Sequence, residues 1–208
     1  QPQAVFMDTA VLKTLPRKQI INGFFEAVKI FLTLDAEHFV YCQEHLAAIL
    51  NLEPVAINTV IQHAVGLKAY VVETDEQERN LRMILNYGHT VAHALEKLSN
   101  YTIMHGYAVA IGMLVEAKIA QLSGLLSIHD YDAIAAFLGK LEISPQLLHD
   151  FAVEDIIHSM RGDKKNTNQQ ILLVLLNGIG SVKNIENQVA FPVDESLIHA
   201  ALTQLINR

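Results

Sequence analysis

The chain of 208 residues has a single cysteine, Cys42. That excludes an internal disulfide and any multi-cysteine metal site and, with no signal-like N-terminus, points to a reducing cytoplasm. Positive charge is also scarce: 15 lysines and arginines stand against 22 acidic residues, for a net charge of −7. No basic block occurs, which argues against nucleic acid or a membrane surface as a partner, so any cationic cluster must be local. No apolar run approaches the roughly 18 residues a membrane-crossing helix needs. About half the residues are apolar, enough for a soluble globular domain with one sizeable core.

What is plentiful is helical periodicity. After a short strand expected at Ala4-Val5-Phe6-Met7-Asp8, with Thr14 as a candidate N-cap ahead of Pro16, apolar positions recur at helical spacing to about Leu34. Asp35 caps a second helix running to Leu50, and a third starts near Pro54 and ends at Gly66, leaving 68–73 as an extended link. The longest helical signal covers 75–99. Residues 107–122 follow as an apolar, buried helix, then 127–141 and 153–160. Residues 171–176 lean toward β structure, with 182–189 pairing back as a hairpin before Asp194 caps a last helix. The expected fold class is mainly α, one multi-helix domain with a small β-hairpin.

Ten histidines is a high count, yet His38, His45, His63, His149 and His158 stand singly and read as surface or satisfied core residues. The informative stretch is Arg82-Met-Ile-Leu-Asn86-Tyr-Gly-His89-Thr-Val-Ala-His93. On one helix, Arg82, Asn86, His89 and His93 would share a stripe. Two histidines a turn apart can share a metal or divide ligation from proton transfer, while Arg82 and Asn86 suit a phosphate or carboxylate. Gly88, at a helix-interior cost of up to about 1 kcal/mol relative to Ala, marks a close approach of ligand or another helix. A polar surface stripe is the rival reading, and two histidines alone do not displace it. His105 can project from the N-terminus of the buried helix. Glu26 and Lys29 are neighbours in an apolar context, where a plain intrahelical ion pair is the simplest account.

Five ordered segments then carry a resemblance: Asn22-Gly-Phe-Phe-Glu-Ala-Val-Lys29, Lys68-Ala-Tyr-Val-Val with Asp75-Glu-Gln-Glu-Arg79, residues 82–96, His105-Gly-Tyr-Ala-Val-Ala-Ile-Gly-Met113, and Asp163-Lys-Lys165. Over essentially its whole length the sequence resembles the C-terminal, metal- and substrate-binding domain of 3-dehydroquinate synthases, within the sugar-phosphate cyclases. The resemblance implies that Glu26, His89 and His105 ligate Zn²⁺ (or Co²⁺), three protein ligands leaving open positions for substrate oxygens. It implies catalytic roles for His93 and Lys29, with His93 an acid–base group or one placed just outside the ligands, and not a ligand itself. Lys29, Lys68, Arg82, Asn86 and one of Lys164 and Lys165 match positions that hold substrate carboxylate, hydroxyls and phosphate. Tyr107 and Ala92 stand where the family usually has Glu and Gly.

The implied activity of the whole enzyme is NAD⁺-dependent conversion of 3-deoxy-D-arabino-heptulosonate 7-phosphate to 3-dehydroquinate and phosphate. That is a carbon–oxygen lyase step of the shikimate pathway, leading to chorismate and aromatic amino acids. Residues 1–208 would be the C-terminal helical domain. The family's N-terminal α/β domain, with its glycine-rich NAD-binding loop, is absent from this chain and is an expected partner, so the isolated domain should be inactive and bind no NAD. A homodimer fits the same picture. Two other readings stand beside it: another sugar-phosphate cyclase, with Arg82 favouring a carboxylate-bearing substrate, or a catalytically silent helical interaction module.

Overall fold

The computed structural model describes residues 3–78, 80–162 and 170–207. Its centre is α6 (His105–Leu122), a helix whose residues from Ala108 to Ala120 are all buried. A helix apolar on every side has no stable place except inside a bundle. Accordingly α1 (Arg17–Leu34), α5 (His89–Leu98), α7 (Ile128–Lys140) and α9 (Glu195–Ile206) all pack against it. Around them lie α2 (Ala36–Glu44), α3 (Leu46–Leu50), α4 (Pro54–Thr74) and α8 (Val153–Arg161). Phe137 joins the layers, meeting Phe24 and Phe39 edge-on at ring-centroid distances of 6.4 and 5.2 Å. Asp35, Ser127 and Asp194 cap α2, α7 and α9 by accepting from His38, Asp130 and Ser196 backbone N–H groups.

The β structure is small. Strands β1 (Leu172–Val174) and β4 (Ala190–Pro192) pair antiparallel, and β2 (Leu176–Gly178) and β3 (Ser181–Val182) form a separate hairpin. The apolar run 171–176 is therefore divided between two sheets, although mainly α with a small hairpin is the architecture observed.

Several sequence expectations are corrected. Residues 4–8 form no strand; Asp8 instead caps a 3-10 helix, Thr9–Thr14, by accepting from the Ala10 N–H at 2.9 Å. Thr14 closes that turn onto the Val11 carbonyl and does not cap α1, whose N-cap is Pro16. The segment 35–50 breaks at His45 into α2 and α3. Conversely, α4 continues through Gly66 to Thr74 and absorbs the expected link. Buried Val71 carries the same inward face as Ala56, Ile57, Val60 and Ala64, and that burial outweighs the glycine penalty. Among the described residues this one helix is, by length and composition, long and apolar enough to cross a membrane. Asn58, Gln62, His63 and Lys68 interrupt it, which is why no long apolar run shows in the sequence.

The largest correction concerns 75–99, which is not one helix. It comprises a loop, a 3-10 turn (Leu81–Asn86), Gly88 at φ +78°, and then α5. Left-handed backbone at Gly88 stops any helix from crossing it.

Candidate functional site

Two glycine contacts set the geometry. Asn22 and Glu26 lie one turn apart on α1, and the Asn22 side-chain oxygen accepts from the Gly106 N–H at 2.8 Å. A side chain on Gly106 would run into the Asn22 carbonyl, so only glycine lets the start of α6 rest on α1. That contact delivers His105, the first residue of α6, to Glu26. On the other flank Gly88 meets α6, where a Cβ would stand 2.8 Å from the Val109 carbonyl oxygen and 2.9 Å from Met113 N. Gly112 faces back onto Gly88 more closely still, where a Cβ would run into the Gly88 carbonyl oxygen. The close approach expected at Gly88 is thus to another helix. Buried Tyr87 donates its hydroxyl to the Met113 carbonyl at 2.9 Å, which fixes the start of α5 and with it His89.

The three side chains converge through this packing. Glu26 Oε1 lies 3.7 Å from His89 Nε2 and 3.5 Å from His105 Nε2. Ligands on a tetrahedron with bonds of about 2.1 Å stand about 3.4 Å apart, so these separations are nearly those of a metal's ligand set. Among the described residues the buried Glu26 Oε1 has no hydrogen-bond partner, while Oε2 accepts from Lys29 Nζ at 2.7 Å. An orphaned carboxylate oxygen aimed at two imidazoles is costly unless a cation completes it.

Each imidazole is also held by its other nitrogen. His89 Nδ1 lies 3.1 Å from the Tyr87 carbonyl oxygen, and His105 Nδ1 lies 3.1 Å from Glu96 Oε1. With Nδ1–H donated, both rings present an Nε2 lone pair to the centre, the orientation a metal requires. Burial and the nearby Lys29 ammonium push the His89 pKa down to about 3 despite Glu26, which keeps the ring neutral. Burial acts to raise the Glu26 carboxyl, but Lys29 and the two imidazoles outweigh it and hold the group below the usual carboxylate range. A carboxylate and two imidazoles with their Nε2 atoms turned toward it together fit a divalent zinc-class ion.

Beside this group opens a pocket of about 240 Å³ whose lining includes Glu26, Lys29, Lys68, Glu78, Arg82, Asn86 and His89. Lys29 is buried and Lys68 exposed, so the cationic wall runs from the interior to the mouth. Asp75 organises the rim: its Oδ2 accepts from the Asn80 and Arg82 N–H groups at 2.7 and 3.1 Å. Arg82 donates to the Glu76 carbonyl and Asn86 to Glu78 Oε1, at 2.8 and 3.0 Å. A larger groove of about 720 Å³ runs past Arg17, Tyr107 and Gln146 and contains none of these residues.

Of the residues singled out in the sequence, Glu26, His89 and His105 converge and Lys29, Lys68, Arg82 and Asn86 line the adjoining pocket, but the route to that arrangement differs in part from the one expected. Arg82 and Asn86 reach the pocket from a 3-10 turn, not from a stripe shared with His89 and His93. His93 is exposed, packs edge-on to the His89 ring at 5.6 Å and stays outside the convergent group. Tyr107 faces the larger groove and packs on Phe25 at 5.3 Å, not beside the ligand group. Lys164 and Lys165 lie outside the described residues. Glu96, Asp75 and Glu78 were given no individual roles. For Glu96 a signal existed, since His89, His93 and Glu96 follow at i, i+4 and i+7.

Residues 23–166 match the family described as 3-dehydroquinate synthase C-terminal. A 3-dehydroquinate synthase of Desulforamulus reducens is 38% identical over 98% of this chain and 56% of its own length. One from Acidithiobacillus ferrooxidans is 39% identical over 87% of this chain and 50% of its own. The chain thus spans about half the length of the curated relatives it matches. Among solved structures, a 2-epi-5-epi-valiolone synthase from Streptomyces hygroscopicus with NAD⁺ and Zn²⁺ bound is similar over 97% of this chain and 55% of its own, at TM-score 0.84 and 26% identity. A 2-deoxy-scyllo-inosose synthase complexed with carbaglucose-6-phosphate, NAD⁺ and Co²⁺ is similar over 98% and 56%, at TM-score 0.81 and 29% identity.

Proposed function

Because the chain belongs to the 3-dehydroquinate synthase C-terminal family, we propose that it is the metal- and substrate-binding part of an enzyme converting 3-deoxy-D-arabino-heptulosonate 7-phosphate to 3-dehydroquinate and phosphate. One observation carries the reading. The unpaired Glu26 Oε1 sits between two oriented imidazole Nε2 atoms, at the wall of a pocket lined by Lys29, Lys68 and Arg82. Glu26, His89 and His105 would hold the metal, and zinc or cobalt there would supply Lewis acidity toward a substrate hydroxyl, easing loss of its proton as the carbon that bears it gives a hydride to NAD⁺.

The protein's own groups do the rest. Lys68 and Arg82 bind the anionic ends of the substrate, Arg82 as a planar fork suited to a carboxylate. Asn86 bonds a hydroxyl. Lys29 neutralises Glu26 and adds positive charge at the pocket's inner wall. Elimination of phosphate beside a ketone needs only a modest base, a role that His93 and the substrate's own phosphate can fill. The nucleotide site belongs to the remaining half of the full-length protein, so the 208-residue chain by itself should neither turn over nor bind NAD⁺ saturably.

The test is phosphate release by the full-length protein with NAD⁺ and zinc. The heptulosonate phosphate should support turnover that a chelator abolishes, and glucose 6-phosphate should not. The reverse preference would assign another sugar-phosphate cyclase, the reading nearer to the two solved structures. No turnover with either, in protein that retains zinc, would favour the silent module.

A further inference from the structure

Asp35, His38 and His63 make a second group with the composition of the first, two imidazoles and a carboxylate, one donor atom of each within 4.8 Å of the other two. Asp35 and His38 stand at the first turn of α2, and His63 stands midway along α4. Asp35 divides its oxygens: Oδ1 accepts from the His38 N–H at 3.0 Å, and Oδ2 lies 2.7 Å from His38 Nδ1. The His38 ring is thereby held, and it rests on Phe31 with ring centroids 5.4 Å apart. Against it lies the His63 ring, 3.6 Å away and 30° from parallel. The stack brings a ring nitrogen of each imidazole beside the carboxylate. Among the described residues Asp35 has its ion pair with His38 alone.

We infer that Asp35, His38 and His63 bind a divalent transition-metal ion of the zinc class, at a site separate from Glu26, His89 and His105. Imidazole and carboxylate donors suit such ions, and three protein ligands leave positions for water. On binding, the ion takes the place of the proton shared by Asp35 Oδ2 and His38 Nδ1, which is released to solvent. His63, exposed on α4, turns out of the stack to aim a nitrogen lone pair at the ion. Occupancy ties the start of α2 to the middle of α4, the helix that presents Lys68 to the pocket. None of this depends on the proposed reaction.

A plain ion pair with a stacked ring is the competing account, and zinc stoichiometry after equilibrium dialysis separates the two. The full chain should hold about two equivalents, and His63→Ala and Asp35→Asn about one each. Asparagine still caps α2, so Asp35→Asn removes the charge without the cap. His89→Ala should also hold about one equivalent, and the His63→Ala/His89→Ala double variant close to none. If the His63→Ala and Asp35→Asn proteins bind as much zinc as the parent, the second site does not exist, whatever His89→Ala does. Loss on His63→Ala with no loss on His89→Ala would instead uphold this site and refute the assignment of the first.

Discussion

His89→Ala should cost the full-length protein both the metal at the Glu26 group and its turnover. The ring contributes one of three converging donors, and its Nε2 stands 3.7 Å from an orphaned Glu26 Oε1. Disturbing an outer partner of a metal ligand typically costs 10–100-fold in affinity or activity, so deleting the ligand itself should cost more than about 100-fold in metal affinity. Turnover should fall in step, because the substrate hydroxyl loses the Lewis acid. The variant should still fold, since Gly88 and Tyr87 hold the start of α5 by backbone packing and by the Tyr87–Met113 hydrogen bond. Metal content by atomic absorption, with circular dichroism as the control for folding, reads the result.

His93→Ala should behave in the opposite way toward the ion. His93 lies one turn beyond His89, exposed and outside the convergent group, meeting the His89 ring only edge-on. It should keep near-stoichiometric zinc at the first site while turnover falls by about 10²–10⁴-fold, the usual contribution of general acid–base transfer. The His-x-x-x-His spacing taken alone makes both histidines ligands and expects either substitution to strip the metal. A metal-free, folded His93→Ala protein would support that spacing reading and refute the division of labour.

The difference between these variants shows what the sequence could and could not convey. Helical periodicity found the buried α6 and the amphipathic α1, because burial on a helix leaves a local repeat. Caps at Asp35 and Asp194 were legible for the same reason, as the capping side chain sits beside the N–H it satisfies. Backbone breaks were harder. Gly66 and Gly88 look alike in sequence, yet α4 runs through Gly66 while Gly88 turns left-handed. The distinction lies in tertiary contacts: nothing lies within 4 Å of where a Gly66 Cβ would stand, whereas Gly88 is pressed onto α6. The proposed metal ligands come from three elements between residues 26 and 105, and no spacing rule joins them. The family resemblance named those ligands, and the geometry then showed that Glu26, His89 and His105 meet. His38 and His63 read as isolated histidines because they lie 25 positions apart, and only the packing of α2 on α4 stacks them.

Anomalous diffraction at the zinc edge, from crystals of the full-length protein grown with zinc, tests the central claim most directly. The account places an anomalous peak about 2.0–2.2 Å from Glu26 Oε1, His89 Nε2 and His105 Nε2 together. A peak bridging His89 and His93, or no peak at the Glu26 group in protein that turns over, would contradict it.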